Sequence, residues 1–429
     1  MFTRKKLLQG AAAGIAATAF APRALGEEVA FDPRNWTSVR AQFALDPRVT
    51  NFSTFLLAPH PRPVRDAVAR YARALDRDAK RYLDRQEDMN AAEQRVRTAA
   101  ARYLDVARDE LALTDSTTMG LALLYGGLQL SEDDEVLTTT HDFYSTHEAL
   151  RLRSLRTGAH VRKIPLYANA RTASVDEIVS SVRRSITPRT RALAVTWVHS
   201  STGVKLPIRA IADALRSTPV LLCVDGVHGF GIEATTPDQL GCDFLVSGCH
   251  KWLFGPRGTG LIWGRSDAWS AVTPTIPTFD GRALRPWLEG QPPPPRGIPG
   301  LPRAAAMTPG GFHSFEHRWA LADAFEFRRK IGRARAATRT HALAQRLKDG
   351  LAEVKRVRLV TPHSAALSAG LVCFEVEGRD PFEFVDRLYA RARIVASVTP
   401  YSRRYVRLGP TIANTPAEVD RVIRAVSSA

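Results

Sequence analysis

Short apolar runs alternate with amphipathic stretches through the middle of the chain. Ala192–His199 (ALAVTWVH) is apolar at nearly every position, the pattern of a parallel strand buried on both faces. Pro207-Ile208 then opens a helix with Ile208, Ile211 and Leu215 on one face. Val220–Val224 (VLLCV) and Asp243–Ser247 (DFLVS) read as further strands, and Gly260–Trp263 (GLIW) as another after a Gly-Pro turn. Strand–helix–strand alternation predicts an α/β fold, a mainly parallel sheet covered by helices.

The pattern changes near residue 290. Pro292–Pro295 is a run of prolines inside a Pro- and Gly-rich stretch from Gly290 to Pro302. Such a stretch can be neither a helix interior nor a central strand, so it reads as a linker or surface loop. Beyond it, Ser314 to about Leu347 has the pattern of one or two long helices, and Leu371–Val376 (LVCFEV) that of a strand. The last helix carries a full start signal: Thr415 as N-cap, Pro416 in the first turn, and Glu418 completing a capping box. Val419, Val422, Ile423 and Val426 form its apolar stripe. The expected organisation is a large domain over residues 27–300, including an N-terminal segment, and a smaller α+β domain over 301–429.

Residues 1–26 read as an export signal rather than as part of the fold. A basic cluster, Arg4-Lys5-Lys6, precedes an apolar run from Leu7 to Ala21 and a small-residue zone near Ala24–Gly26. The run is short for a membrane span, so no stable membrane insertion is expected once the signal is removed. Thr3-Arg4-Lys5-Lys6-Leu7-Leu8-Gln9 is similar to a twin-arginine signal with Lys5 in place of the second arginine. The expected location is periplasmic; a cytoplasmic protein with an uncleaved leader is the alternative.

Composition narrows the class without naming it. The 429 residues are 45% hydrophobic and 24% charged, which excludes a disordered, collagen-like or polytopic membrane protein. The balance is basic, with 60 Lys+Arg against 43 Asp+Glu, but the arginines are scattered and no nucleic-acid motif accompanies them. No nucleic-acid partner is expected. Cys223, Cys242, Cys249 and Cys373 have no zinc spacing and are too few for a disulfide framework.

The chemistry concentrates between Val224 and Arg265. Asp225 directly follows an apolar strand and Lys251 follows another, so both belong at strand C-terminal ends, where open α/β sheets bind ligands. A carboxylate and a lysine so placed suit pyridoxal phosphate: the lysine forms its Schiff base and the acid faces its ring nitrogen. An ordinary salt bridge is the plainer reading of the two residues alone. The surrounding sequence decides between them. Asp225-Gly226-Val227-His228, then Gly241-Cys242-Asp243, then His250-Lys251-Trp252-Leu253-Phe254-Gly255-Pro256-Arg257-Gly258-Thr259-Gly260 resembles the cofactor-lysine region of the class V (fold type I) aminotransferase family. That family includes cysteine desulfurases and isopenicillin N epimerase-like enzymes.

The resemblance implies a fold type I enzyme with pyridoxal 5'-phosphate and assigns its site. Lys251 and Asp225 would be catalytic. Ser116, Thr117 and Thr118 would cradle the phosphate at a helix N-terminus, with His250 helping. His141 would stack on the ring and join the catalytic set, with Phe143 or Tyr144 as alternatives. Ser200, or His199 if the alignment slips by one, and His228 would reach the ring oxygen. Arg407 would grip a substrate carboxylate in a bidentate fork. Asn51-Phe52 and Pro61 match the opening segment, which borders the substrate, and Thr308-Pro309-Gly310-Gly311 the region that reaches a partner subunit's phosphate; a homodimer is implied. The expected substrate is a small amino compound with a carboxylate, and the outcome transamination, epimerisation or β-elimination. Ser397–Arg407 contains no cysteine, which argues against a desulfurase and leans towards an isopenicillin N epimerase-like protein. Two other classes remain open: a metal-dependent hydrolase using His141, His199, His228 and His250 with Asp225, and a non-catalytic, anion-binding protein on the same fold. No metal is expected on the favoured reading.

Overall fold

The computed structural model describes residues 30–83, 86–292 and 297–429. The leader lies outside the described residues, as do Pro293–Pro295 of the proline run.

Seven strands form the central sheet: β1 (Leu111–Thr114), β2 (Glu135–Thr139), β3 (His160–Ile164), β4 (Thr190–Thr196), β5 (Leu221–Asp225), β6 (Phe244–Gly248) and β7 (Gly260–Gly264). Their spatial order is β1-β7-β6-β5-β4-β2-β3. Neighbours from β3 through to β6 run parallel, and β7 is antiparallel to both β6 and β1. The continuous apolar runs have a direct cause. In β4, Leu193 and Val195 enter one hydrophobic cluster while Ala192 and Ala194 enter another. Leu222 and Val224 of β5 divide from Cys223 in the same way, so both faces of the sheet are covered. This is the α/β architecture that the sequence pattern implies, a mainly parallel sheet covered on both faces.

One helix sets the site's position. It spans Thr117–Gly127 and starts immediately beyond β1. It lies close against the sheet at Gly120, where a Cβ would fall 2.5 Å from Val246 Cγ1. That close approach brings its N-terminus to the C-terminal ends of β5 and β6.

The C-terminal residues build a second layer. An antiparallel sheet contains β8 (Val357–Leu359), β9 (Val372–Val376), β10 (Ser397–Val398) and β11 (Val406–Leu408), in the order β10-β11-β9-β8. The long helical stretch divides at Gly332 into Phe315–Ile331 and Arg333–Ala352. The first half packs on Arg62–Arg77 and Gln86–Leu104, the second on the final helix, Pro416–Ser428. Thr415 and Glu418 form the expected capping box, and Val419, Val422 and Val426 are buried. Residues 50–55 tie the layers together. Thr50–Asn51 pairs with Ile394–Val395, and Phe52 O accepts from Gly409 N at 2.7 Å. This threads the N-terminal segment past the site.

Candidate active site

Asp225 ends β5, and Lys251 lies in the loop that leaves β6, the adjacent strand. That loop folds back tightly: Phe254 N donates to Lys251 O at 3.1 Å and Gly255 N to Cys249 O at 2.8 Å. Phe254 takes a left-handed φ of 63°, a strained conformation for an aromatic residue. Burial of its ring against Phe43, with centroids 4.9 Å apart, holds it there.

Burial shapes the electrostatics. Desolvation pushes the Asp225 carboxyl up to about 7, against the opposing pull of the Val227 N–H and Lys251. Desolvation also lowers the Lys251 amine to about 8; Asp225 opposes this and Arg407 adds to it. The two groups therefore titrate near neutrality, the range in which a side chain can both take and return a proton. His228 faces the amine, with Nε2 3.3 Å from Lys251 Nζ. Its imidazole is held well below its usual range, by burial first and then by Lys251, so it is neutral.

Across the cavity, Ser116 caps the Thr117–Gly127 helix by accepting from Met119 N at 3.1 Å. The first backbone N–H groups of such a helix have no intrahelical acceptor and attract anions. Thr117 Oγ1 accepts from Gly248 N at 2.7 Å, which ties the helix start to the lysine loop. Thr118 Oγ1 lies 3.0 Å from Ser145 Oγ. His250 sits beside them with Nδ1 buried and, among the described residues, without a partner. A Cβ on Gly248 would come within 3.0 Å of both His250 Cε1 and Thr117 Oγ1. Glycine therefore leaves this cradle open, and an unsatisfied imidazole nitrogen faces a helix N-terminus. Those features fit a phosphate, and the adjoining Lys251 and Asp225 fit the aldehyde and ring nitrogen of pyridoxal phosphate.

Arg407 stands on β11, 2% exposed. Its Nη1 donates to Ser200 O at 3.0 Å and its Nε to Ser397 Oγ at 3.2 Å, and the guanidinium lies 4.8 Å from the Phe55 ring centroid. Among the described residues no carboxylate pairs with it. A buried arginine held in place on neutral partners is set to receive a carboxylate from outside the chain.

These residues converge. Ser116, Thr117, Thr118, Ser200, Asp225, His228, His250, Lys251 and Arg407 all line one cavity of about 170 Å³. His141, expected to stack on the cofactor's ring, does not line it. Asp142 explains why. Its buried carboxylate accepts from Thr138 Oγ1, Thr139 N and Thr196 N at 2.7–2.9 Å, which pins the turn after β2. His141 is turned onto Tyr167, ring on ring at 3.9 Å and 11°, and its Nε2 accepts from Leu166 N. Phe143, on the other side of Asp142, lines the cavity. Tyr144 is exposed. His199 is fully buried in the His141 group, its Nδ1 2.9 Å from Tyr167 Oη, so Ser200 and not His199 reaches the cavity. The histidines of the hydrolase reading thus separate into two groups, and among the described residues no three His, Cys, Asp or Glu are grouped as metal ligands.

Ser145, Thr196, Leu56 and Pro400 also line the cavity, and sequence reasoning missed them. It missed Tyr401 as well, whose Oη lies 2.7 Å from Ser200 Oγ and whose ring packs edge-on against Phe143. A larger cavity of about 350 Å³, lined by Glu93, Arg97, Thr308, Phe312 and His313 among others, shares no residue with the first.

Comparison with known proteins agrees with this geometry. The Aminotransferase class-V family profile matches residues 58–422. Isopenicillin N epimerase of Amycolatopsis lactamdurans is 27% identical over 395 residues, covering 91% of this chain and 98% of the relative. A probable cysteine desulfurase of Vibrio cholerae is 22% identical over 432 residues, covering 92% and 98%. A solved structure of a C-DES mutant, with glycine covalently linked to its pyridoxal phosphate cofactor, superposes with a TM-score of 0.81 at 19% identity, covering 90% of this chain and 98% of that one.

Proposed function

Since this chain belongs to the class-V aminotransferase family, whose cofactor is pyridoxal phosphate, we propose that it rearranges the Cα centre of an amino acid in the manner of an isopenicillin N epimerase. That it is a pyridoxal-phosphate enzyme acting on an amino acid or its derivative follows from the family. The carrying observation for the finer reading is Lys251 Nζ lying 3.3 Å from His228 Nε2 in a cavity that Asp225 and Arg407 also line.

Lys251 would attach the cofactor, Asp225 would face its ring nitrogen, and Phe143 its ring. Ser116, Thr117, Thr118 and His250 would hold its phosphate, and Ser200 and His228 its ring oxygen. When bound, the cofactor supplies an electron sink that acidifies the substrate's Cα–H. Arg407 binds and orients the α-carboxylate. Lys251 Nζ, lowered to about 8, would take the Cα proton from its own face, and inversion requires the proton to come back on the opposite face. The buried Phe55 and Trp252 pack behind the cavity against His228, and Phe55 also against Arg407.

Sulfur transfer to an enzyme thiol is disfavoured. Cys223, Cys242, Cys249 and Cys373 are all buried and unpaired. Burial pushes their thiols up, that of Cys373 to about 12, away from the reactive thiolate. Tyr401, not cysteine, occupies the loop before Arg407.

The test is incubation with a panel of α-amino acids in D2O, read by mass spectrometry and chiral chromatography. The proposal expects deuterium at Cα with inversion. Release of a 2-oxo acid without inversion would replace epimerisation by transamination or elimination; no exchange with any amino acid would refute the reading.

The same proposal includes export of the enzyme to the periplasm through residues 1–26 and assembly as a homodimer. A folded, cofactor-loaded protein needs a route that carries folded cargo, which agrees with the twin-arginine-like sequence of the leader. The exposed Phe312, at the rim of the 350 Å³ cavity, and the exposed Leu57 support a second copy as partner. Cell fractionation and light scattering test these two points. Recovery only in the cytoplasm with an intact leader, or a monomer, would refute them.

A further inference from the structure

The residue following the cofactor lysine makes a contact that the proposed function leaves unused. Trp252 is buried, and its Nε1 donates to His228 Nδ1 at 3.2 Å. An indole N–H is a donor only, so Nδ1 of His228 must present its lone pair. A neutral imidazole carries one N–H, and that proton is then confined to Nε2, the atom 3.3 Å from Lys251 Nζ. An ammonium has three donors and no lone pair, whereas a neutral amine can accept. The contact therefore favours neutral Lys251.

We propose that Trp252 is a positioning residue that locks His228 in its Nε2–H tautomer, so that His228 can only donate toward Lys251 and toward any oxygen bound beside it. The indole is held rigidly enough for this. It stacks on Phe55 at 5.8 Å and 22°, and Gly370 and Gly409 let the backbone approach its far edge: a Cβ at either would come within 3.1–3.2 Å of Cη2. His228 packs edge-on against Phe55 as well, at 6.0 Å. The charged and titratable groups around the pair are Asp225, His250 and Arg407, each from a different segment. Asp225 favours the ammonium, Arg407 and burial the amine; the tautomer adds to the second side. Only the consequence for catalysis rests on Lys251 being the cofactor lysine, because the lock itself exists in the cofactor-free protein.

The test uses cofactor-free protein. In wild type, 15N spectra of labelled histidine should show His228 protonated at Nε2. An Nδ1–H pattern there would overturn the proposal without any mutation. Trp252→Phe keeps the ring stack and deletes the donor. It should release a mixture of tautomers and raise the pH midpoint for labelling of Lys251 by an amine-reactive reagent by roughly one unit, about tenfold slower labelling at neutral pH. Combined with His228→Gln, whose amide can donate or accept by rotation, Trp252→Phe should shift the midpoint no further. An unchanged midpoint in the single variant, or an equal shift in the His228→Gln background, would reduce Trp252 to a packing residue.

Discussion

Replacing Arg407 by lysine isolates what the guanidinium fork contributes. The structure holds two of its donors on Ser200 O at 3.0 Å and Ser397 Oγ at 3.2 Å, leaving the remainder for a substrate carboxylate. Lysine keeps the charge but offers one ammonium, which cannot satisfy both the carbonyl and a bidentate carboxylate. Loss of one charge-assisted hydrogen bond costs about 1.5–3 kcal/mol, which is roughly a 10- to 150-fold drop in kcat/KM. The drop should fall mainly on KM, because the carboxylate is bound equally before and during the reaction. Rates of Cα–H exchange in D2O, measured with an amino acid and with its decarboxylated amine at varied concentration, separate the causes. The amine should turn over slowly but equally well in wild type and Arg407→Lys, and the cofactor's visible band should be unchanged. An equal loss for both compounds, or an unchanged KM for the amino acid, would show that Arg407 is not the carboxylate receptor.

Other outcomes follow from the same geometry. Phe143→Ala should weaken cofactor affinity by roughly two- to tenfold from lost stacking, while His141→Ala leaves it unchanged; fluorescence titration with pyridoxal phosphate decides. The Asp225 carboxyl is raised to about 7 from 3.8, so the folded protein binds more protons than the unfolded chain between those values. Its stability therefore falls as pH rises through that window, and the penalty is full above about 7. Thermal melts of cofactor-free Asp225→Asn should accordingly show a gain over wild type at pH 8 that vanishes near pH 4. Gly120→Ala places a methyl 2.5 Å from Val246 Cγ1 and should destabilise by about 1–3 kcal/mol while weakening cofactor binding. Val246→Ala in the same chain should restore much of both, by denaturant melts and titration.

The legible part of the sequence was the part governed by local pattern. Leu193 and Ala194 face opposite covered sides of the sheet, so β4 reads as an unbroken apolar run. Asp225 and Lys251 were legible in position because each follows such a run, and because the segments Asp225–His228 and His250–Gly260 around them are distinctive. The terminal helix announced itself through Thr415 and Glu418. Long-range contacts left no such signal. Which of His141 and Phe143 faces the cavity depends on the grip of Thr196 N on Asp142, 54 residues apart in sequence. Tyr401 reaches Ser200 from the C-terminal layer, and Ser145 meets Thr118 from the first turn of another helix. Ser200 and His199 differ by a single step in a turn, and only the packing of His199 on Tyr167 separates them.

Every role proposed for this cavity depends on Lys251 being the cofactor's attachment point. The most direct measurement is the visible spectrum of the purified protein with pyridoxal phosphate, before and after borohydride, followed by peptide mass mapping. A visible band that is lost on reduction, with the reduced cofactor's mass on Lys251, is expected. No band, or an adduct carried by another lysine such as Lys205 with Lys251 unmodified, would contradict it.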